Sequence, residues 1–343
     1  MAGMKAEFLV YLLMLIWVQS NGSKYVYDPL KPITSPELID GNISTCPGLY
    51  CGRITVYNDS NHNDFTFSQC GPCPRGESAD KMSICQPCGD TPSLYDWLYL
   101  GFMVILSLTL HFFFIDYFFK EDNKTVIALH VSAFFECFLA AIISLLIVQP
   151  VGKLDLYSCG VRRLSDWYTM MKNPKPDYTT QLHCTQEAVY PLYTLIFLSY
   201  TFQLIFMMLF RPFLSVKLCK NQGKNSIYAA LYFLPILVVI HAVCAGLIYY
   251  SYPHIIIIVS LVTHAVHFSR TEINTPKQLL SKKRNVIILI AHWLIHGYGI
   301  IAITRLQNPT VHASLLILVP IPAIFFIATA QFTEPNKISD YES

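Results

Sequence analysis

The stretch LYLGFMVILSLTLHFFF, at residues 98–114, contains no Asp, Glu, Lys or Arg. Such a run is typical of a membrane-crossing helix, because about 20 helical residues span a hydrocarbon core of roughly 30 Å. The whole chain is similar: 53% of its 343 residues are apolar and 13% are charged. A net charge of +2 without a basic patch argues against a nucleic-acid partner. The sequence therefore predicts an all-α multi-pass membrane protein in contact with the lipid bilayer.

Seven apolar blocks from residue 97 onward predict seven transmembrane helices. The fourth and fifth blocks form one continuous apolar stretch. Because proline ends a helix and restricts the residue before it, Ser251-Tyr252-Pro253 predicts a tight hairpin between them. The predicted spans are Trp97–Phe119, Val126–Gln149, Ala188–Leu209, Ile227–Tyr250, Pro253–Ser269, Val286–Thr304 and Val311–Gln331.

An apolar block at Phe8–Val18 predicts a signal peptide cleaved after Ser20, with an uncleaved anchor as the alternative. Either one sends the following segment across the membrane. The positive-inside rule gives the same orientation, because the predicted inner loops and tail carry 12 Lys and Arg residues and the outer loops carry 6. We therefore expect the amino terminus in the lumen of the secretory pathway and the carboxyl terminus in the cytosol.

These features predict five segments along the chain. The third of these segments is a small module that is rich in cysteine and precedes the first span. The segments are a signal peptide at 1–20, a linker extension at 21–45, a small Cys-rich luminal module at 46–96, a seven-helix transmembrane domain at 97–331 and a cytosolic tail at 332–343.

The module contains the string CGPCPRGESADKMSICQPC at residues 70–88. Two C-x-x-C pairs of this kind indicate either a zinc site or disulfides. The predicted orientation favours disulfides, because the lumen is oxidising and the module has an even number of cysteines. Six cysteines allow 15 pairings, which stay open, and the two in the outer loop 150–187 are expected to close that loop. The disulfide candidates are Cys46, Cys51, Cys70, Cys73, Cys85, Cys88, Cys159 and Cys184.

Two N-glycosylation sequons flank the first part of the module, at Asn42-Ile43-Ser44 and Asn58-Asp59-Ser60. Sequons of this kind are used only in segments that reach the secretory lumen. Asn42 and Asn58 are therefore predicted glycosylation sites.

Ionisable side chains inside the predicted spans are candidate functional residues, because charge is costly at membrane depth. His111, Asp116 and Glu136 lie on adjacent helices and predict one polar cluster. His292 and His296 are four residues apart and share a helix face. They indicate either the metal site of an intramembrane hydrolase or polar contacts between helices. Since no third ligand can be placed, we predict no metal and no cofactor.

A basic cluster and alternating aliphatic residues in SKKRNVIILI, Ser281–Ile290, are similar to a kinase-docking peptide. The alternative is a set of positive anchors where a helix enters the membrane. No phosphate-binding loop and no G-x-S-x-G nucleophile motif is present, so no enzyme is predicted. The docking candidates are Lys282, Lys283, Arg284, Ile287 and Leu289.

Several long strings occur in a fixed order: GLYCGR, CGPCPRG, CQPC, LYDWLYLGFM, RLSDWYTMMKNPKPDY, HCTQEAVYPLYT, KNSIYAALYFLPIL, AHWLIHGYGI and FTEPN. Together they closely resemble the c-Jun N-terminal kinase-associated membrane protein family, from about Cys46 to Lys337. The resemblance implies a seven-span endoplasmic-reticulum protein without enzymatic activity. Such proteins act as adaptors in ER-associated degradation. They bind stress-activated MAP kinase (JNK) and recruit ubiquitin ligase and proteasome subunits.

Two other hypotheses remain beside the adaptor. One is the intramembrane hydrolase built on His292 and His296. The other, less favoured, is a seven-helix cell-surface receptor, which seven spans and an outer cysteine-bearing segment suggest. The sequence lacks the D-R-Y-like triplet after the third span and the N-P-x-x-Y motif in the seventh that receptors of that class carry.

Overall fold

A computed structural model describes residues 45–57, 65–118, 124–172, 184–217, 223–271 and 275–333. The chain divides into two compact units. The first contains residues 1–96 and 100–246, and the second contains Trp97–Tyr99 and Leu247–Ser343. The predicted signal peptide, and all but one residue of the linker extension, lie outside the described residues, as do the last ten residues of the tail.

The described residues are mainly helical, and six helical segments among them are long and apolar enough to cross a membrane. These segments confirm a multi-pass helical membrane protein, and most begin or end within a few residues of the predicted spans. Three short 3₁₀ helices lie at Leu164–Trp167, Thr169–Lys172 and Leu315–Leu318. The α-helices are α1 Leu94–Phe118, α2 Lys124–Ile147, α3 Leu192–Lys217, α4 Lys224–Thr271, α5 Pro276–Ser281, α6 Lys283–Thr304, α7 Pro309–Ser314 and α8 Ile321–Thr333.

The predicted hairpin at Ser251-Tyr252-Pro253 was wrong, because α4 runs through it as one helix. The predicted fourth and fifth spans therefore lie in a single 46-residue apolar segment, Lys224–Ser269. In an apolar environment a helix satisfies its own backbone hydrogen bonds, whereas a turn leaves polar groups without partners. The Ser251 hydroxyl also donates to the carbonyl of Leu247 at 2.7 Å, within the turn that Pro253 interrupts.

Three pairs of short antiparallel strands form the module that precedes α1. β1 (Cys51–Gly52) pairs with β4 (Gly71–Pro72), β2 (Thr55–Tyr57) with β3 (Phe65–Phe67), and β5 (Glu77–Ala79) with β6 (Cys85–Pro87). A domain this small cannot bury much apolar surface, so covalent crosslinks must supply its stability. Cysteines form its centre: Cys46, Cys51 and Cys184 are buried together.

The membrane helices of the first unit pack most extensively between α2 and α3. The fully buried Ile115 of α1 packs against Leu129 and Ala133 of α2. At Gly246 of α4, the absence of a side chain admits the Cβ of Trp167, which would lie 2.9 Å from a Cβ at that position. The loop between α2 and α3 is therefore packed onto a helix through Trp167, whose side chain is buried.

The second unit has its own apolar core, formed by Phe268, Leu279, Leu289 and Ala323. Elsewhere in this unit, Gly299 of α6 allows close approach, because a Cβ there would lie 2.6 Å from Cγ1 of Ile257. The unit thus combines an apolar core with a close contact between α4 and α6.

Candidate functional sites

Four disulfides join all eight cysteines of the module and the α2–α3 loop. The prediction that Cys159 and Cys184 close their own loop was wrong, since each pairs instead with a module cysteine. Neither C-x-x-C sequence pairs internally. The bonds are Cys46–Cys70, Cys51–Cys184, Cys73–Cys85 and Cys88–Cys159.

Two of these bonds tie the module to the α2–α3 loop. Cys51–Cys184 connects residues 133 positions apart, and Cys88–Cys159 connects residues 71 positions apart. Both bonds bracket α1 and α2, so the module and the loop lie on the same side of this helix pair. The loop is therefore part of the module.

Tyr50 strengthens this attachment with a hydrogen bond across the interface. Its hydroxyl donates to Oδ1 of Asp166 at 2.8 Å and lies 3.2 Å from Oγ of Ser165. Burial is the largest cause that raises the pKa of Tyr50, to about 12, and the negative charge of Asp166 adds to it. The phenol therefore stays a neutral donor to Asp166 throughout the physiological range.

Glu187, in the same loop, caps the amino-terminal end of α3. Its Oε1 accepts the backbone N–H groups of Tyr193 and Thr194, both at 2.9 Å, and the Thr194 hydroxyl donates to Oε2. A carboxylate in this position satisfies free N–H groups and complements the positive end of the helix dipole. Burial raises the pKa of Glu187, and these hydrogen bonds partly offset that rise.

The first unit encloses a charged cluster among its membrane helices. Arg211 of α3 and Glu136 of α2 form a two-pronged ion pair, with Nε–Oε1 at 3.1 Å and Nη2–Oε2 at 2.8 Å, and both side chains are 0% exposed. Nη2 of Arg211 also lies 2.9 Å from Nδ1 of His111, on α1. The Ser132 hydroxyl donates to Glu136 at 2.7 Å. The cluster therefore links three helices through fully desolvated groups.

The predicted cluster of His111, Asp116 and Glu136 is thus assembled only in part. His111 and Glu136 are brought together, but Asp116 lies elsewhere, with Oδ1 3.2 Å from Nε2 of His130 and a side chain 70% exposed. Arg211, which joins the other two residues, was missed. It follows an apolar run and was assigned to an inner loop, but α3 continues past it to Lys217.

The intramembrane histidines of the second unit form a stacked pair rather than a chelate. The rings of His264 and His292 lie parallel, with centroids 5.0 Å apart and planes 5° apart. His296, one turn along α6, is buried. Among the residues that the structure describes, no group of three or more His, Cys, Asp or Glu side chains could hold a metal ion. His292 therefore packs against α4 through the ring of His264.

The predicted docking residues begin α6. Lys282 precedes its first residue, Lys283, and the candidate span of this helix begins two residues later, at Asn285. Leu289 is buried in the core of the second unit, and Ile287 is 67% exposed within the span. A docking peptide of this pattern would require these aliphatic residues to leave the helix.

Asn42 and Asn58 lie outside the described residues, so their glycosylation stays a prediction.

Comparison with known proteins assigns the family. A sequence model described as "JNK1/MAPK8-associated membrane protein" matches residues 46–335, which contain the module and every described helix. The chain belongs to this family. It is therefore a multi-pass membrane protein of a family named for its association with a MAP kinase, and that name does not describe an enzyme.

Relatives in the JNK1/MAPK8-associated membrane protein family match along nearly their whole length. The human and mouse proteins of that name are each 50% identical to the chain over 297 residues, covering 85% of this chain and 95% of the relative. A homolog from Caenorhabditis elegans is 33% identical over 319 residues, covering 87% of this chain and 97% of the relative. No solved structure matches the chain.

Proposed function

We propose that this chain is a non-catalytic adaptor of the endoplasmic-reticulum membrane. It binds a stress-activated MAP kinase of the JNK class on its cytosolic side. There it also recruits ubiquitin ligase and proteasome subunits for ER-associated degradation of misfolded proteins. One observation carries the kinase part of the proposal: a 50% identical human relative, aligned over 95% of its length, is named as associated with JNK1/MAPK8.

The disulfides support a luminal position for the module. Disulfides form and persist in oxidising compartments and are rare in the cytosol. Both long-range bonds bracket two membrane helices, so the module and the α2–α3 loop share one compartment. The loops predicted to face the other side carry most of the Lys and Arg, as the positive-inside rule expects.

The side of the carboxyl-terminal tail depends on α4. Its apolar segment of 46 residues is about 69 Å long, more than twice a hydrocarbon core. Five Lys and Arg residues at 270–285 favour the cytosol for the segment at the end of α4, and three Lys residues at 217–224 favour it for the segment at its start. Both ends of α4 can face the cytosol only if this helix bends back within the membrane, and on that proposal we expect a tag on Ser343 to be digested by protease added to sealed microsomes. A protected tag would instead indicate that α4 crosses the membrane once.

Co-purification tests the adaptor proposal directly. Tagged full-length protein is isolated in mild detergent from stressed and unstressed cells and probed for JNK-class kinase, ubiquitin ligase and proteasome subunits. We expect all three classes, and slower degradation of a misfolded luminal reporter when the gene is deleted. Recovery of none of them, with reporter degradation unchanged, would exclude the proposal.

A double charge-reversal variant tests whether the basic residues at the start of α6 contact the kinase. Lys282→Glu/Lys283→Glu is compared with Lys217→Glu/Lys224→Glu, an equal charge change at exposed positions of another basic segment. We expect the first pair alone to reduce kinase recovery. Equal recovery from both variants would assign kinase binding to another surface, such as the tail 332–343.

A further inference from the structure

The segment between α4 and α6 contains a threonine followed by proline, Thr275-Pro276. MAP kinases transfer phosphate to a serine or threonine that precedes proline. The chain has two other such dipeptides, Ser35-Pro36 and Thr91-Pro92. Both belong to segments predicted to face the lumen, where a cytosolic kinase has no access. Thr275 is therefore the one residue of this kind in the sequence that lies on the side proposed for kinase binding.

The backbone of Thr275 has the conformation that a kinase requires of its target residue. Thr275 is exposed, and its φ of −136° and ψ of 149° are extended. Pro276 favours this conformation, because the proline ring disfavours helical angles at the residue before it. Protein kinases bind the residues around a phosphoacceptor as an extended segment. Thr275 therefore needs little change of its own backbone to enter a kinase active site.

The hydroxyl of Thr275 is only weakly engaged. It accepts the N–H group of Gln278 at 3.3 Å, and the Thr275 N–H group donates to Oε1 of Gln278 at 3.1 Å. These two bonds form a capping box at the start of α5. Within the described residues, no hydrogen bond has this hydroxyl as its donor. Its proton is therefore free to leave when the oxygen is phosphorylated.

The helix that follows Thr275 is short enough to open locally. α5 has six residues, whereas an isolated helix needs about 12–15 to be stable in water. Leu279 holds α5 in place, because its side chain is buried in the core of the second unit. The Thr275 carbonyl accepts the N–H group of Leu279 at 3.2 Å and so closes the first turn. A kinase can engage Thr275-Pro276 by opening this one turn.

The docking candidates Lys282 and Lys283 lie close to Thr275 along the chain. α5 is about 9 Å long, and Lys282 follows it directly. Both lysines are exposed. A domain of about 300 residues has a radius of gyration of about 19 Å. A kinase domain of that size, bound at the start of α6, would therefore also reach Thr275.

We propose that Thr275 is a phosphorylation site, and that its kinase is the JNK-class MAP kinase of the adaptor proposal. The inference rests on the proposed function for the class of kinase and for the cytosolic position of the segment. In the reaction, the Thr275 oxygen bonds to the γ-phosphorus of kinase-bound MgATP as the bond from that phosphorus to its bridging oxygen breaks. ADP leaves, and the hydroxyl proton passes to the catalytic aspartate of the kinase. Thr275 then carries about two negative charges.

Labelling of sealed microsomes tests the site and its side of the membrane together. Microsomes that contain tagged full-length protein receive active JNK-class kinase and ATP labelled at the γ-phosphate, and the labelled residues are located by peptide mass spectrometry. We expect label at Thr275 in intact vesicles and none at Thr91, which is exposed in the module proposed to be luminal. Absence of label at Thr275, or label there only after detergent opens the vesicles, would overturn the proposal.

Two substitutions of Thr275 separate the phosphoacceptor from the helix cap. Thr275→Asn removes the hydroxyl but keeps a side chain that caps helices at least as well as threonine does. Incorporated phosphate should therefore fall at least about tenfold while α5 keeps its cap. Thr275→Ser keeps both the hydroxyl and the cap and should retain the label. Equal incorporation by the natural protein and Thr275→Asn would overturn the proposal.

A substitution of the proline tests the class of kinase. Pro276→Ala leaves the Thr275 hydroxyl in place, and alanine is a good helix former, so α5 is expected to persist. Incorporation should still fall at least about tenfold, because a proline-directed kinase requires proline after its target. Ser281→Ala is the matched control, since Ser281 is exposed in the same helix but is followed by Lys282, and it should leave incorporation unchanged. Equal effects of the two variants would overturn the assignment to a MAP kinase.

The co-purification described for the adaptor proposal separates failure of this site from failure of the proposed function. Recovery of the kinase without label at Thr275 would overturn the phosphorylation site and leave the adaptor proposal standing. Label at Thr275 without recovery of the kinase would support the site and count against kinase binding as part of the adaptor function.

Discussion

Arg211 and Glu136 show how a single pair of residues constrains three membrane helices. Each side chain is 0% exposed, and each is the main charge partner of the other. Removing one partner of a buried ion pair leaves an uncompensated charge, whereas removing both can be nearly neutral. The pair therefore fixes how α2 and α3 pack against each other, without implying that charge is the most stabilising choice there.

Substitution of Arg211 tests this interpretation. Arg211→Met should lower the free energy of unfolding by about 3–5 kcal/mol, because the Glu136 carboxylate is left unpaired. The double variant Arg211→Met/Glu136→Gln should recover part of that loss. Thermal unfolding in detergent measures both. The ion pair between Asp116 and His130, in which Asp116 is exposed, gives the control: Asp116→Asn should change the free energy of unfolding by no more than about 1 kcal/mol. Equal effects of Arg211→Met and Asp116→Asn would contradict a buried ion pair.

The pKa of Tyr50 predicts a dependence on alkaline pH. The pKa is raised from 10.0 to about 12 in the folded protein, so its contribution to stability is fully present below pH 10. It is lost as the pH rises towards 12, where the phenolate would face Asp166. We expect the melting temperature of the natural protein to exceed that of Tyr50→Phe below pH 10 and to converge with it by about pH 12. Readings are taken within minutes of the pH change. A constant difference would contradict the shift.

At the level of elements, two glycines of α6 have different surroundings. A Cβ on Gly299 would lie 2.6 Å from Ile257, whereas a Cβ on Gly297 has no neighbour closer than 3.7 Å. Both changes to alanine alter the helix propensity equally, so the difference between them isolates the packing effect. Gly299→Ala should destabilise by about 1–3 kcal/mol relative to Gly297→Ala, measured as above. No difference between the two would mean that α4 and α6 are not in contact at this point.

Some elements could be predicted from the sequence for a simple physical reason. A span must supply about 20 apolar residues in a row, so the beginning of α2 and the end of α6 could be predicted from where the apolar run begins and ends. The continuity of α4 could not be predicted in this way. Proline breaks helices in water, but within a membrane it is tolerated where neighbouring groups satisfy the free backbone groups, as at Pro253. Arg211 was assigned to an inner loop, because a cation that follows a run of apolar residues is typical of the membrane boundary.

At the scale of the whole molecule, disulfide connectivity was beyond sequence reasoning. Pairing depends on which cysteines the fold brings within bonding distance, and spacing carries no information on that. The partners of Cys51 and Cys88 lie beyond two membrane helices.

Cleavage between α1 and α2 tests these long-range bonds. A recognition site for a sequence-specific protease is inserted within residues 119–123, and the purified protein is cut in detergent. We expect the two fragments to migrate together on a non-reducing gel and to separate after reduction, because two disulfides join them. In Cys51→Ser/Cys88→Ser the fragments should separate without reductant. Separation of the natural fragments without reductant would show that each half pairs its cysteines internally.

The bond between Cys51 and Cys184 also sets an order for biosynthesis. Its second sulfur is made 133 residues after the first, which takes a ribosome roughly 7 to 27 seconds. Throughout that interval Cys51 has been made but its partner has not. Both α1 and α2 are made within that interval, so this bond can form only after the helix pair has been synthesised. The nascent chain is therefore expected to depend on an oxidoreductase that holds Cys51 as a mixed disulfide until Cys184 emerges.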